Sequence, residues 1–168
     1  MARLAVACLL LLAGAQFAAA YPSLWATESD VKCPDHPKKK EHGHGAPQID
    51  SAITFSVADA SGKAVKAVCP GQTYTVTVGF PEPRLALLTS DVGKFTASSG
   101  KSDTKCPSRQ VFDKSQAYTP SKAQVTQIAL PCGRTTPVMM MVTSAKGEYN
   151  NFMQASSTLP LDTGCKAC

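Results

Sequence analysis

Thr73-Tyr-Thr-Val-Thr-Val-Gly-Phe80 decides the fold class. Tyr74, Val76, Val78 and Phe80 fall on one side of an extended chain, and Thr73, Thr75 and Thr77 fall on the other. That alternation, in β-branched and aromatic residues, is the composition of a half-buried strand. Cys69-Pro-Gly-Gln72 forms a turn leading into it. Pro81-Glu-Pro83 is expected to end it, because proline has no N–H to give to a ladder. Leu85 to Thr89 then resumes as a more fully apolar strand.

Working outward, Ser90-Asp-Val-Gly93 turns toward Lys94-Phe-Thr-Ala97, and Ser98 to Ser108 reads as a loop around Cys106. Val125 to Leu130 and Pro137 to Ser144 are two further strands, joined at Pro131-Cys-Gly133. The second is apolar on both faces, which places it centrally. Upstream, Ile53, Phe55 and Val57 alternate against Ala52, Thr54 and Ser56, and Ala60-Ser-Gly-Lys63 turns into a second strand, Ala64 to Val68, as a hairpin. Gly147 to Leu161 fits either a helical turn or a last strand before Pro160. About seven strands, spaced by turn residues, predict an all-β fold: an antiparallel immunoglobulin-like β-sandwich.

The chain begins Met1-Ala-Arg3, continues with the apolar run Leu4 to Ala13 and closes on Phe17-Ala-Ala-Ala20. A charged start, a short apolar centre and an Ala-x-Ala pattern predict a signal peptide over 1–20, and hence a secreted protein. The apolar centre is too short to span a bilayer with ease. Residues 21–48 are polar, rich in Pro and Lys and without periodicity, so they read as an irregular N-terminal arm in which Trp25 and Leu24 could anchor. Residues 49–168 are left as one domain. Of seven cysteines, Cys8 leaves with the leader. An even set remains, Cys33, Cys69, Cys106, Cys132, Cys165 and Cys168, which in an exported chain predicts disulfides among fifteen possible pairings.

The net charge of +5 does not point to nucleic acid, since arginine is scarce and scattered. Much of the excess lies in Lys38-Lys-Lys40, a solvated basic face or a weak attractor of anionic surfaces and polysaccharides. All three histidines, His36, His42 and His44, fall in the arm. Imidazoles at i and i+2 on a glycine-rich segment can chelate copper or zinc, with His36 or Glu41 completing a site. Cys165-Lys-Ala-Cys168 matches the spacing of thiol oxidoreductases. No helix can start there, however, and an α-carboxylate at Cys168 would disfavour a thiolate. The expectation is therefore a stapled tail, with Cys33 of the arm as one partner. Met139, Met140 and Met141 alternate in direction along a strand, so their sulfurs cannot converge on copper. Hydrolysis finds no Gly-x-Ser-x-Gly elbow and no carboxylate pair that reads as buried. The chain has no Asn-x-Ser/Thr sequon.

With the strands placed, the chain resembles the Reeler domain family. The residues that carry this are Tyr21-Pro-Ser23 after the leader, Cys33, His42-Gly43 with Pro47 before the first strand, Pro70-Gly71 with Tyr74 and Val76, and Gly93-Lys-Phe95 followed by Cys106. The resemblance spans most of 21–152. Tyr149 and Phe152 stand where such domains carry a tryptophan strand, and Cys69, Cys132 and the terminal pair are additional. What it implies is an extracellular immunoglobulin-like module of matrix, cell surface or defence, without catalysis and without catalytic residues to carry over. The expected partner is an extracellular protein or polysaccharide, met by the turns at Pro81–Arg84, Ser98–Ser108 and Arg134–Thr136. The alternatives are a secreted copper or zinc protein using the histidines, and an extracellular wall-modifying hydrolase.

Overall fold

A computed structural model describes residues 25–26, 31–41, 43–96, 101–102, 105–112, 120–147, 150–165 and 168. The leader therefore lies outside the described residues. Nine strands run through them: β1 (Gln48–Ile49), β2 (Thr54–Ala58), β3 (Thr73–Ser90), β4 (Lys94–Thr96), β5 (Lys101–Ser102), β6 (Arg109–Val111), β7 (Ser121–Ala129), β8 (Val138–Ala145) and β9 (Met153–Leu159). The all-β expectation holds; β2 and β8 lie on the runs expected to be strands, and β7 begins at Ser121, ahead of the expected Val125. The ambiguous 147–161 segment supplies β9, antiparallel to β8. Ala64 to Val68 is not a full strand: the expected hairpin is short, closed on β2 by the antiparallel Ala58–Ala64 bridge and by Asp59 N–H to Lys63 and Val65 N–H to Val57, and Val68 then pairs in parallel with Leu161.

Pro81 and Pro83 do not end the strand. β3 runs 18 residues through both and serves two ladders. Its first half pairs with β2 and β7, and β7 pairs onward with β4. Its second half, Leu85 to Ser90, pairs with β8, and Leu87 to Thr89 pair with β6. The register shifts between Gly79 and Arg84, so the prolines occupy the stretch where the chain leaves one set of partners for the other. No ladder asks them for an N–H.

Tyr74, Val76, Val78, Phe80, Ala86 and Leu88 of β3 join Val57, Phe95, Ile128, Met140 and Val142 in one apolar cluster drawn from both ladders. The sheet is mixed and not purely antiparallel as expected. β1 runs parallel to β9, with Gln48 N–H donating to the Phe152 carbonyl and Asp50 N–H to that of Gln154. The departure arises because the arm arrives at β9 from outside the two ladders, in the direction β9 itself runs.

Candidate functional site

Register fixes what the outer face of the second ladder displays. Ala86 and Leu88 point into the core, so Leu85, Leu87 and Thr89 point away from it. Leu87 sits between Val111 of β6 and Thr143 of β8, Thr89 lies beside Arg109, and Thr143 lies beside Gln154 of β9. Leu85, Leu87, Thr89, Arg109, Thr143 and Gln154 are all buried. The arm covers Leu87, Thr89, Arg109, Thr143 and Gln154, with an irregular backbone and with Trp25 packed on the sheet.

Trp25 and Ala26 pack on Leu87, with Val31 and Val111 alongside; Leu24 lies outside the described residues. Arg109, 2% exposed, donates three hydrogen bonds to arm carbonyls: Nη1 to Ala26 at 2.6 Å, Nη2 to Lys32 at 2.6 Å and Nε to Cys33 at 3.2 Å. A planar guanidinium fork suits this task, because one rigid group meets several fixed acceptors. The Cys33–Cys106 disulfide fastens the same segment beside it. Next, His36 enters the sheet face, 2.7 Å from Thr143 Oγ1 through Nδ1 and 2.7 Å from Thr89 Oγ1 through Nε2. Gln154 Nε2 donates to the Pro37 carbonyl at 2.9 Å and to Thr143 Oγ1 at 3.0 Å. Burial above all, and then the Arg109 charge, lower the His36 pKa to about 4, while Asp35 opposes the shift.

After Pro37 the chain emerges as Lys38, Lys39 and Lys40, all exposed. It is caught again where Glu41 and His44 form a bridge and His44 stacks on Phe152, ring centroids 4.1 Å apart. His44 Nδ1–H donates to the Asn150 carbonyl. Three lysines thus stand on a short span whose two ends are buried and hydrogen-bonded.

His42 lies outside the described residues. His36 and His44 are packing residues: both His36 nitrogens are engaged by threonine hydroxyls and His44 is fully buried. Cys69, Asp162 and Cys165 bring ligand atoms within 4.8 Å of one another, but the two sulfurs are bonded to each other, so neither is a thiolate ligand. Cys168 pairs with Cys132. The tail is stapled to the turns at Cys69 and Cys132, and Cys33 serves the arm instead of the tail.

The other expected binding turns are differently employed. Pro81–Arg84 lies within β3, and Arg84 is buried against Asp50 at 2.7 Å, with Glu82 at 3.6 Å. Arg134 bonds Asp91 and the carbonyls of Thr136 and Pro137, which pins 134–136. Of 98–108, Lys101–Ser102 forms β5 on β6, Cys106 is bound to the arm, and 98–100 and 103–104 lie outside the described residues. Asp59 and Asp162 accept N–H groups of their own turns, and Asp59 is held below the usual carboxylate range first by the Ser61 hydroxyl. Met139 is exposed and Met140 buried, as strand alternation requires.

The buried polar residues of the seam escaped the sequence reading. The available signal was a threonine inside each of two runs otherwise apolar on both faces, Thr89 and Thr143.

No family model and no curated protein matches the chain. Among solved structures, the human F-spondin reeler domain (fragment 1) is similar at 13% identity and a TM-score of 0.51, over 69% of this chain and 94% of that one. A second human F-spondin reeler fragment (15% identity, 64% and 92% coverage) and the Reelin-N domain of F-spondin (14%, 69% and 92%) each have a TM-score of 0.48. The fold is Reeler-like, as the residue resemblance implied.

Proposed function

We propose that the chain is a secreted, non-catalytic extracellular module that recognises an anionic extracellular polymer, such as an acidic polysaccharide, through Lys38–Lys40. The leader over 1–20, export, and an immunoglobulin-like arrangement of the two ladders belong to this proposal. The observation that carries it is the span itself: three adjacent exposed ammonium groups between buried anchors at His36–Pro37 and His44. An anchored basic loop meets a flexible polyanion with little ordering cost of its own, and its attraction is screened by salt. Three disulfides and a Reeler-like fold agree with an extracellular setting.

The test is retention on an immobilised sulfated polysaccharide. The wild-type chain should bind at about 0.05 M salt and elute before about 0.5 M, as the Debye length contracts. Lys38→Ser/Lys39→Ser/Lys40→Ser should bind at least about tenfold more weakly, each lost contact contributing a few tenths to 1 kcal/mol. Equal retention of the two proteins, or none by the wild type, would sink the assignment.

A further inference from the structure

The arm is closed over the sheet by a device that answers to protons, and this holds whether or not the lysines bind a polyanion. Thr143 Oγ1 accepts from Gln154 Nε2–H and also faces His36 Nδ1, while Thr89 Oγ1 faces Nε2. The neutral ring has one donor and one acceptor, so one of the two threonine hydroxyls donates to it and the other accepts from it. A proton added to the ring turns its acceptor nitrogen into a donor, so the hydroxyl that had donated to it must turn its hydrogen away.

Among the described residues, the charges facing the ring come from two elements: Arg109 of β6, a cation, and Asp35 of the arm itself, a carboxylate. β3, β8 and β9 meet it with neutral Thr89, Thr143 and Gln154. A charged imidazole is therefore a second buried cation beside Arg109, which Asp35 offsets only in part. Arg109 is also the clamp on the Ala26, Lys32 and Cys33 carbonyls. Repulsion at His36 is thereby transmitted to Trp25, whose burial on Leu87 depends on the Ala26 end of that clamp.

We infer that the N-terminal arm is an acid-released cover: protonation of His36 frees Trp25, Ala26 and residues 31–41 from the outer sheet face while the nine-stranded body stays folded. Cys33–Cys106 keeps the freed arm tethered, so neutralisation reseats it. What acid exposes is the apolar pair Leu87 and Val111 together with Trp25, and the lysine span loses its fixed anchor at one end.

Trp25 is the sole tryptophan, so its emission reads arm docking directly. On lowering the pH from 7 to 3.5, the emission should shift to the red and acrylamide quenching should rise about threefold or more. The midpoint should coincide with the titration of the His36 imidazole followed by NMR, the change should reverse on neutralisation, and the far-UV circular dichroism should remain that of a sheet. His36→Gln, which keeps a donor and an acceptor without titrating, should hold Trp25 buried to pH 3.5. If that variant is undocked already at pH 7, the wild-type comparison of the two midpoints decides alone. An unchanged Trp25 signal, a His36 titration at its ordinary pH without arm release, or loss of the sheet signal in the same step would each overturn the inference.

Discussion

Replacing Arg109 by methionine keeps the length of the side chain and removes the fork. The wild-type guanidinium serves three arm carbonyls, two of them at 2.6 Å. A hydrogen bond from a charged donor contributes about 1.5–3 kcal/mol, so the gross loss is on the order of 5–9 kcal/mol. Part returns, because the freed carbonyls become hydrated once the arm lifts and a buried charge is no longer held out of water. A net cost to arm docking of about 3–5 kcal/mol is expected. Against it stands the burial of Trp25, which contributes about 2–3 kcal/mol, so Trp25, Ala26 and residues 31–33 should detach. The body should stay folded, since β3, β7, β8 and the main apolar cluster do not depend on the arm. Red-shifted Trp25 emission and fast amide exchange confined to 31–41, with the global urea midpoint moved far less, is the expected result. Arg109→Lys should recover about one of the three bonds, because an ammonium is a single point of contact. Trp25 emission and arm exchange in Arg109→Met indistinguishable from wild type would refute the clamp.

Stability should fall with acid in a defined window. The unfolded chain takes up a proton at His36 near pH 6.5, whereas the folded chain resists until about 4. Stability is therefore flat above pH 6.5, drops by up to about 3 kcal/mol down to pH 4 and is flat again below, in excess of the drop in His36→Gln measured by urea titration at each pH. Gly71 has a φ of +74°, and a Cβ there would lie 2.6 Å from Cys168 Sγ and 3.0 Å from Cys132 Sγ. Gly71→Ala should cost about 2–4 kcal/mol and leave a fraction of Cys132 and Cys168 alkylatable by mass spectrometry, whereas Gly62→Ala, at φ +84° with open space, should cost only about 1 kcal/mol in thermal melts. Removing Cys33–Cys106, which spans 73 residues, by paired alanines should lower stability by about 4 kcal/mol on loop entropy. The arm of that variant, once released by acid, should become sensitive to an acid protease, because no tether then holds it beside the sheet.

The sequence by itself determined the parts whose signal is local. Alternation at Tyr74, Val76, Val78 and Phe80 specified a strand and its buried face, because the side-chain period of an extended chain is two wherever it sits. Six cysteines in a chain with an export-like start specified disulfides, though not that Cys33 would choose Cys106. The continuity of β3 through Pro81 and Pro83 was decided by tertiary structure: whether a missing N–H matters depends on whether a partner strand asks for it, and the register shift after Gly79 removes the partner.

The arm is the larger case. Residues 31–41 and 43–44 have no period because they form no ladder of their own apart from the Glu41–His44 bridge; their order comes from side chains 53 to 117 positions away, among them Thr89, Arg109, Thr143 and Gln154. A histidine beside prolines and lysines reads as solvated until the chain folds over the one sheet face whose strands are apolar on both sides. The apolar character of Leu85 to Leu88 was legible in the sequence, whereas its need for a second cover was not. Which residues answer it, and that they do so through a titratable imidazole and one guanidinium, was fixed only when the fold brought Thr89, Thr143 and Arg109 side by side.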